Sequence, residues 1–241
     1  MGKSHFFFSP KGGTGTSFSA AAFAQNAKSH SKNVLCFDTD PFNSNLSFYN
    51  DLEVTKIDPD IVDTENPRAI DRLLNAMLAA PMGSDIIVDN SSATFLPFCA
   101  HLKERNLLEE LRDAGHEIYM HTVLVGNASL IETVNGLYAL LTNFPKIPII
   151  IWLNETFGEI LFKEVHFENT KLFKEFKDQI HGLIYFGKAM PNSFSLDVQK
   201  LIENGHTFEE GIRGPHYSLI TRQRLAIYWR DLSAKMEAMN L

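Results

Sequence analysis

Cysteine is scarce in this chain. Only Cys36 and Cys99 occur among 241 residues, far apart in sequence, so no disulfide scaffold organises the fold. Two isolated thiols suit a reducing compartment. An excess of positive charge is also missing. Lys and Arg number 22 against 29 Asp and Glu, a net charge of −7 with a pI near 5.7. That balance argues against a dominant nucleic-acid-binding role and leaves open only a local patch. Long hydrophobic runs are absent too. The most apolar stretch, 147–153, is interrupted by Pro148 and far too short to span a bilayer. The apolar start at 5–8 is too short for a signal peptide. The Met1-Gly2 opening lacks the Ser or Thr at position 6 that N-myristoylation requires. The expectation is a soluble cytoplasmic protein.

Catalytic motifs of other classes are lacking as well. The nine histidines show no H-E-x-x-H spacing, and the nearest pair is His116 and His121. Surface or hydrogen-bonded core histidines explain them better than zinc ligands. Ser91-Ser92 has no G-x-S-x-G frame, which discounts a nucleophilic serine. There is no internal repeat, low-complexity tract or long linker.

What is present reads as one globular α/β domain over 1–241. Hydrophobic residues make up 44% and charged residues 21%, and the length can bury a sizeable core. The 19 Phe residues follow no repeat and read as core and interface filling. Strands are expected at 5–9, 33–37, 85–88, 117–125, 147–153 and 182–186. Helices are expected from 18 to 28, from an Asn66-Pro67 start, and over 104–114, 129–142 and 194–204. A C-terminal amphipathic helix begins near Ser218, with Leu225, Trp229, Leu232, Met236 and Met239 along one face. Alternating strands and helices predict a mostly parallel twisted sheet flanked by helices. The Phe-rich, charged segment 157–177 (Phe157, Phe162, Phe167, Phe173, Phe176) reads as a surface excursion and a candidate partner-binding one.

The most informative stretch is Ser9-Pro10-Lys11-Gly12-Gly13-Thr14-Gly15-Thr16-Ser17, between the first strand and first helix. Dense phosphate charge is met by backbone N–H groups in a glycine loop and by the positive end of a helix. Lys11, Gly12, Gly13, Thr14, Gly15, Thr16 and Ser17 are therefore the candidate phosphate-contacting residues, and the Ser17 hydroxyl can ligate Mg²⁺. The competing reading is an ordinary glycine turn. A P-loop reads G-x-x-x-x-G-K-[ST], and here Thr16 stands where the lysine belongs.

Three acids support the phosphate reading. Asp38, Asp40 and Asp89 lie at or just past the C-terminal ends of expected strands, the edge where open α/β sheets bind ligands. Asp89, after Ile86-Ile87-Val88, suits a carboxylate that orients Mg²⁺ through water. Of Asp38 and Asp40, one could hold the metal shell while the other positions an attacking water. A lone Asp at a strand end is more often a cap or turn residue, but three in this order after a glycine loop favour a site. Asn154, following 149–153, carries both donor and acceptor and suits an adenine edge; the alternative is a turn residue. Arg213, Arg222, Arg224, Arg230 and Lys235 make the C-terminal region locally basic. A solvated helix face is the favoured reading there, and contact with DNA or anionic lipid the less favoured one.

Together these residues resemble the deviant Walker A ATPases, the ParA/MinD class. Its K-G-G-x-G-K-[ST] loop is matched at Lys11, Gly12, Gly13, Thr14, Gly15 and Ser17 and broken at Thr16. Its D-x-D-P switch is matched at Asp38 to Pro41, and its hydrophobic strand ending in Asp at Asp89. Beyond that core, the stretches 34–43, 66–68, 85–92, 115–117, 151–154 and 221–225 resemble a family of conjugal-transfer proteins of plasmid mating systems. The class resemblance implies a P-loop fold, ATP or ADP with Mg²⁺, and a nucleotide-dependent homodimer. In it, Lys11 would reach the partner's nucleotide, Asp40 would position the hydrolytic water, and Asn90 to Ser92 would begin a second switch. The family role implied is support of conjugation beside a type IV secretion apparatus, with proteins of that apparatus as partners.

Thr16 qualifies the activity. A charge-assisted hydrogen bond is worth about 1.5–3 kcal/mol, so losing the lysine weakens phosphate binding by roughly one to two powers of ten. Hydrolysis suffers further, since phosphoryl transfer is mostly positioning and charge stabilisation. Either Thr16 is an introduced substitution in an ATPase, or the chain is naturally a pseudo-ATPase whose role is recognition. The expectation for this chain is weak nucleotide binding with little or no hydrolysis.

Overall fold

The computed structural model describes residues 2–30, 33–40, 43–57, 68–104, 107–187 and 192–241. The expected helix start at Asn66-Pro67 and the switch residue Pro41 lie outside the described residues.

β1 (Gly2–Phe8) is the centre of a seven-stranded sheet. β4 (Asp85–Asp89), β2 (Val34–Asp38) and β3 (Thr55–Lys56) follow on one side; β5 (His116–Val125), β6 (Ile149–Asn154) and β9 (Ile180–Phe186) follow on the other. Every neighbouring pair in this sheet is parallel. A central parallel strand is buried on both faces, which is why β1 carries consecutive phenylalanines. Successive side chains point to opposite faces. Phe6 and Phe8 therefore join one core with Ile86, Val88, Met120 and Leu153, while Phe7 joins a second with Ile87, Val123, Ile150 and Trp152.

The first core is covered by α2 (Arg68–Leu78), α3 (Phe95–Glu104), α4 (Leu107–Asp113) and α5 (Leu130–Asn143). The second is covered by α1 (Thr16–His30), α7 (Asn192–Glu203), α8 (Phe208–Arg213) and α9 (Leu219–Glu237). Ser218 caps α9, its side chain accepting a hydrogen bond from the Thr221 N–H in the first turn. Leu225, Tyr228, Leu232 and Met236 are buried, and Trp229 and Met239 pack beside them, so the apolar stripe read from sequence faces the sheet. Among the cations of this region, Arg213 pairs with Glu209, Arg224 with Asp197 and Lys235 with Asp231.

Three expectations are corrected. The helix expected over 104–114 is α4 alone, and a separate α3 precedes it. Pro97 disguised α3, yet it lies in the first turn, where the missing N–H has no helical partner to lose. β6 starts at Ile149 rather than 147, since Pro148 has no N–H for the ladder; its carbonyl still accepts from Met120 N. The 157–177 segment is not simply a surface excursion. It forms the β7 (Leu161–Phe162) and β8 (Val165–His166) hairpin and α6 (Lys171–Glu175). Phe167 is buried, and Phe162, Phe173 and Phe176 pack on the first core; of the five phenylalanines only Phe157 is exposed. Both cysteines are free, and burial pushes each thiol up to about 12.

His5 and His121 are buried between β1, β5 and β6. Trp152 Nε1 donates to His121 Nδ1 at 3.0 Å, and His121 Nε2 lies 2.9 Å from His5 Nδ1. An indole N–H only donates, so His121 must carry its hydrogen on Nε2 and donate it to His5. Both rings are therefore neutral. Burial lowers His5 to about 3 and His121 well below its usual value.

Candidate functional site

The glycine loop lies between β1 and α1, at the C-terminal edge of the sheet. Its shape is held by its own hydroxyls. Ser9 Oγ donates to the Lys11 carbonyl and receives hydrogen bonds from Lys11 N and Thr14 Oγ1, at 3.0, 3.3 and 3.0 Å. Thr14 is buried, and Asn154 Nδ2, at the end of β6, donates to its carbonyl at 2.9 Å. Gly15 has φ 94°, a conformation L side chains rarely adopt, and its surroundings are tight. A Cβ there would sit 3.1 Å from Asn154 Nδ2 and 3.4 Å from the Phe186 ring. The first helical bond of α1 runs from Ser19 N to Gly15 O. The N–H groups ahead of Ser19 thus have no intrahelical acceptor and form, with the helix dipole, an anion-binding end.

The acids converge on this loop from neighbouring strands. Asp38 and Asp89 stand side by side in the β2–β4 register, and Asp89 is beside Phe7 in the β4–β1 register. Asp38 is buried and its carboxylate is occupied. Oδ1 accepts from Asp40 N at 3.0 Å, and Oδ2 accepts from both Ser47 N and Ser47 Oγ at 3.1 Å. Burial raises its pKa, against the pull of those hydrogen bonds. In this arrangement it shapes the segment after β2. Asp40 lines the cleft in front of the loop, and its Oδ1 accepts from Asn43 N at 2.9 Å.

Asp89 differs. It is 1% exposed, and neither carboxylate oxygen has a hydrogen-bond partner among the described residues. Burial pushes its pKa up to about 8, with the adjacent Ser17 hydroxyl opposing the rise and the nearby charges of Asp38 and Asp40 adding to it. Ser17 approaches this carboxylate without closing a full hydrogen bond. A buried acid with two orphan oxygens beside a serine hydroxyl fits a cation, which would supply the missing partner. Among the described residues no three carboxylates, histidines or cysteines converge closely enough to hold a metal alone. A cation here would thus need oxygens of a bound phosphate to complete its shell.

Sequence reasoning missed the partners that hold these residues, Glu132, Thr39 and Thr94. Lys11 Nζ pairs with Glu132 Oε2 on α5 at 3.0 Å, both side chains being about half exposed. Asn90 Oδ1 accepts from the Thr39 and Thr94 hydroxyls at 2.9 and 3.0 Å, which ties the ends of β2 and β4 together. Thr16 Oγ1 lies 3.0 Å from Thr14 Oγ1, so the residue at the lysine position joins the loop's own network. The D-T-D spacing around Thr39 held a usable signal. The Lys11–Glu132 contact spans too much sequence to leave one.

Two joined clefts open at the loop. One, of about 560 Å³, is lined by the loop, Asp40 and Asn90 to Ala93. The other, of about 860 Å³, runs from Gly13 and Gly15 past Phe18, Asn154, Glu155, Phe186 and Tyr228. Asn154 is 4% exposed, and its amide does two tasks: Nδ2 holds Thr14 and Oδ1 accepts from Thr156 N at 3.0 Å.

A parallel sheet with a phosphate loop after its central strand and acids at the ends of the adjoining strands defines a P-loop nucleotide-binding protein. Residues 6–213 match the CobQ/CobB/MinD/ParA nucleotide binding domain, and this chain belongs to that family. Along nearly its whole length it is similar to two Escherichia coli proteins named Protein TraL. One is 32% identical over 238 residues, covering 98% of both chains, and the other 30% identical over 239 residues, covering 99% of this chain and 98% of its own. Among solved structures, the fold is similar to a putative plasmid partition protein from Borrelia burgdorferi B31, solved bound to AMPPNP (TM-score 0.54, 13% identity, 99% of each chain). It is also similar to the MinD cell division protein of Aquifex aeolicus (TM-score 0.52, 13% identity, 98% of this chain and 97% of that one).

Proposed function

We propose that this chain is a ParA/MinD-type ATP-binding protein that supports plasmid conjugation beside a type IV secretion apparatus, with hydrolysis impaired by Thr16. The observation that carries the reading is the glycine loop at the positive end of α1, whose Ser17 hydroxyl lies beside the orphaned Asp89 carboxylate. Similarity to the TraL proteins supports the conjugation role. Lys11 to Ser17 would cradle the phosphates. Ser17, with Asp89 through water, would hold Mg²⁺, which supplies charge neutralisation between the phosphates when bound, while Asp38, already occupied by Asp40 N and Ser47, would fix the segment that carries Asp40. Asp40, at the cleft, would position water. Asn154 would set the loop against the base. Lys11, now paired with Glu132, would swing to the nucleotide of a second copy in a homodimer. An exposed ion pair of this kind is worth less than about 1 kcal/mol, so releasing Lys11 costs little.

The test is a paired binding and turnover assay of this chain and its Thr16→Lys variant with Mg-ATP. Thr16→Lys should bind about ten- to a hundredfold more tightly and gain measurable hydrolysis, and Asp40→Ala in that background should abolish the turnover. A Thr16→Lys protein that binds no nucleotide sinks the reading. The second reading, a non-catalytic interaction module, is favoured by Thr16 alone. Calorimetry distinguishes it: no ATP or ADP binding by this chain, with partner binding intact, supports that module.

A further inference from the structure

We infer that Glu155 reads the nucleobase, accepting a hydrogen bond from an amino group on the purine ring; this rests on the nucleotide-binding reading above. The 860 Å³ cleft continues directly from Gly13 and Gly15, so a ligand whose phosphates occupy the loop places its remaining part there. Phe18, Phe186 and Tyr228 form apolar walls suited to a planar ring. The charged groups are lopsided. Glu155, Glu159 and Glu203 line the cleft, and among the described residues no Lys or Arg does. Ionised carboxylates only accept hydrogen bonds, so this end of the cleft favours a neutral group rich in N–H donors.

Glu155 is set apart from the other two acids. It is only 8% exposed, yet its Oε2 has no hydrogen-bond partner among the described residues. Glu159 and Glu203 are not among the buried polar residues. The Tyr185 phenol, near enough to feel the Glu155 charge, donates instead to Glu168. Glu155 is also rigidly placed. Asn154 accepts from Thr156 N and thereby caps the short turn 155–157, while its Nδ2 holds the phosphate loop. One side chain thus fixes both the phosphate end and the backbone that carries Glu155 in the lining of the cleft. A buried acceptor left without a donor costs free energy, and a ring amino group would remove that cost.

The experiment titrates this chain with Mg-ATP and with Mg-purine riboside triphosphate, which has the same ring without the 6-amino group. ATP should bind at least about tenfold more tightly, as one charge-assisted hydrogen bond predicts. Glu155→Ala should bring the two affinities within about twofold. Glu155→Gln, isosteric and uncharged, should keep the fold and shrink the ratio severalfold. A GTP titration separates the two amino-purines. Tighter GTP binding that Glu155→Gln weakens would keep the base-reading role of Glu155 and overturn the ATP reading. An ATP preference unchanged in both variants would overturn the inference alone. No nucleotide binding by this chain or by Thr16→Lys would overturn both readings together.

Discussion

The Trp152–His121–His5 relay shows how one hydrogen bond sets the state of two residues. Because Trp152 can only donate, neither imidazole can take a proton without losing a bond inside the core. Unfolded histidines take up protons below about 6.5. Folded His5 does so only near about 3, and folded His121 well below its ordinary value. The unfolded state therefore binds more protons as pH falls. The stability these residues contribute is full above about 6.5 and is lost as the medium becomes more acidic, at about 1.4 kcal/mol per pH unit for each ring. Asp89, pushed up to about 8, contributes with the opposite sign over the same window, so the readout is a difference: in chemical denaturation between pH 7 and pH 5, His5→Gln should change the slope by about one ring's share. A slope that His5→Gln leaves unaltered would mean His5 is not the titrating group. At the same scale, the Thr16 hydroxyl finds a partner in Thr14, and the side chain has neither the reach nor the charge of a lysine.

At the scale of elements, α5 and the phosphate loop are fitted to one another. Gly136 lies in α5, and a Cβ there would sit 2.4 Å from Cγ of Pro10. In an open helix, Gly→Ala stabilises by about 1 kcal/mol. Here overpacking reverses the sign, and Gly136→Ala should destabilise by about 1–3 kcal/mol. Because the strain falls on Pro10, nucleotide binding should weaken as well. Urea denaturation and a nucleotide titration measure the two effects; a stabilised variant would show that the loop moves aside freely. The same scale explains what could and could not be read from the chain. The placement of the glycine loop between β1 and α1, and of Asp38, Asp40 and Asp89 at or just past strand ends, was legible because glycine turns and apolar strand runs are set by residues close in sequence. α3 was not, since Pro97 is a helix breaker everywhere except in a first turn. The phenylalanines of 157–177 were misread because their partners belong to distant strands and helices.

For the whole molecule, two cores on opposite faces of one sheet make the outer helices structural. α9 buries Leu225, Tyr228, Leu232 and Met236 against the second core. At about 1.5–3 kcal/mol for each large side chain, their burial is worth roughly 6–12 kcal/mol, comparable to the total stability of a domain. Truncation before Leu219 should abolish the cooperative thermal transition and expose dye-binding apolar surface. A truncated chain that still melts sharply would free α9 for a DNA or membrane role. Among the described residues no helix is long and apolar enough to cross a membrane.

The sequence by itself determined the parallel α/β architecture, the phosphate loop and its missing lysine, and the acids at the strand ends. These follow from hydrophobic periodicity and from chemistry confined to neighbouring residues. Only the tertiary structure decided that Asp38 is occupied while Asp89 is not, that Lys11 rests on Glu132, and that Asn154 links the loop to Glu155. Each of those depends on which distant groups come within hydrogen-bond reach, a property of packing across the sheet that no local pattern encodes.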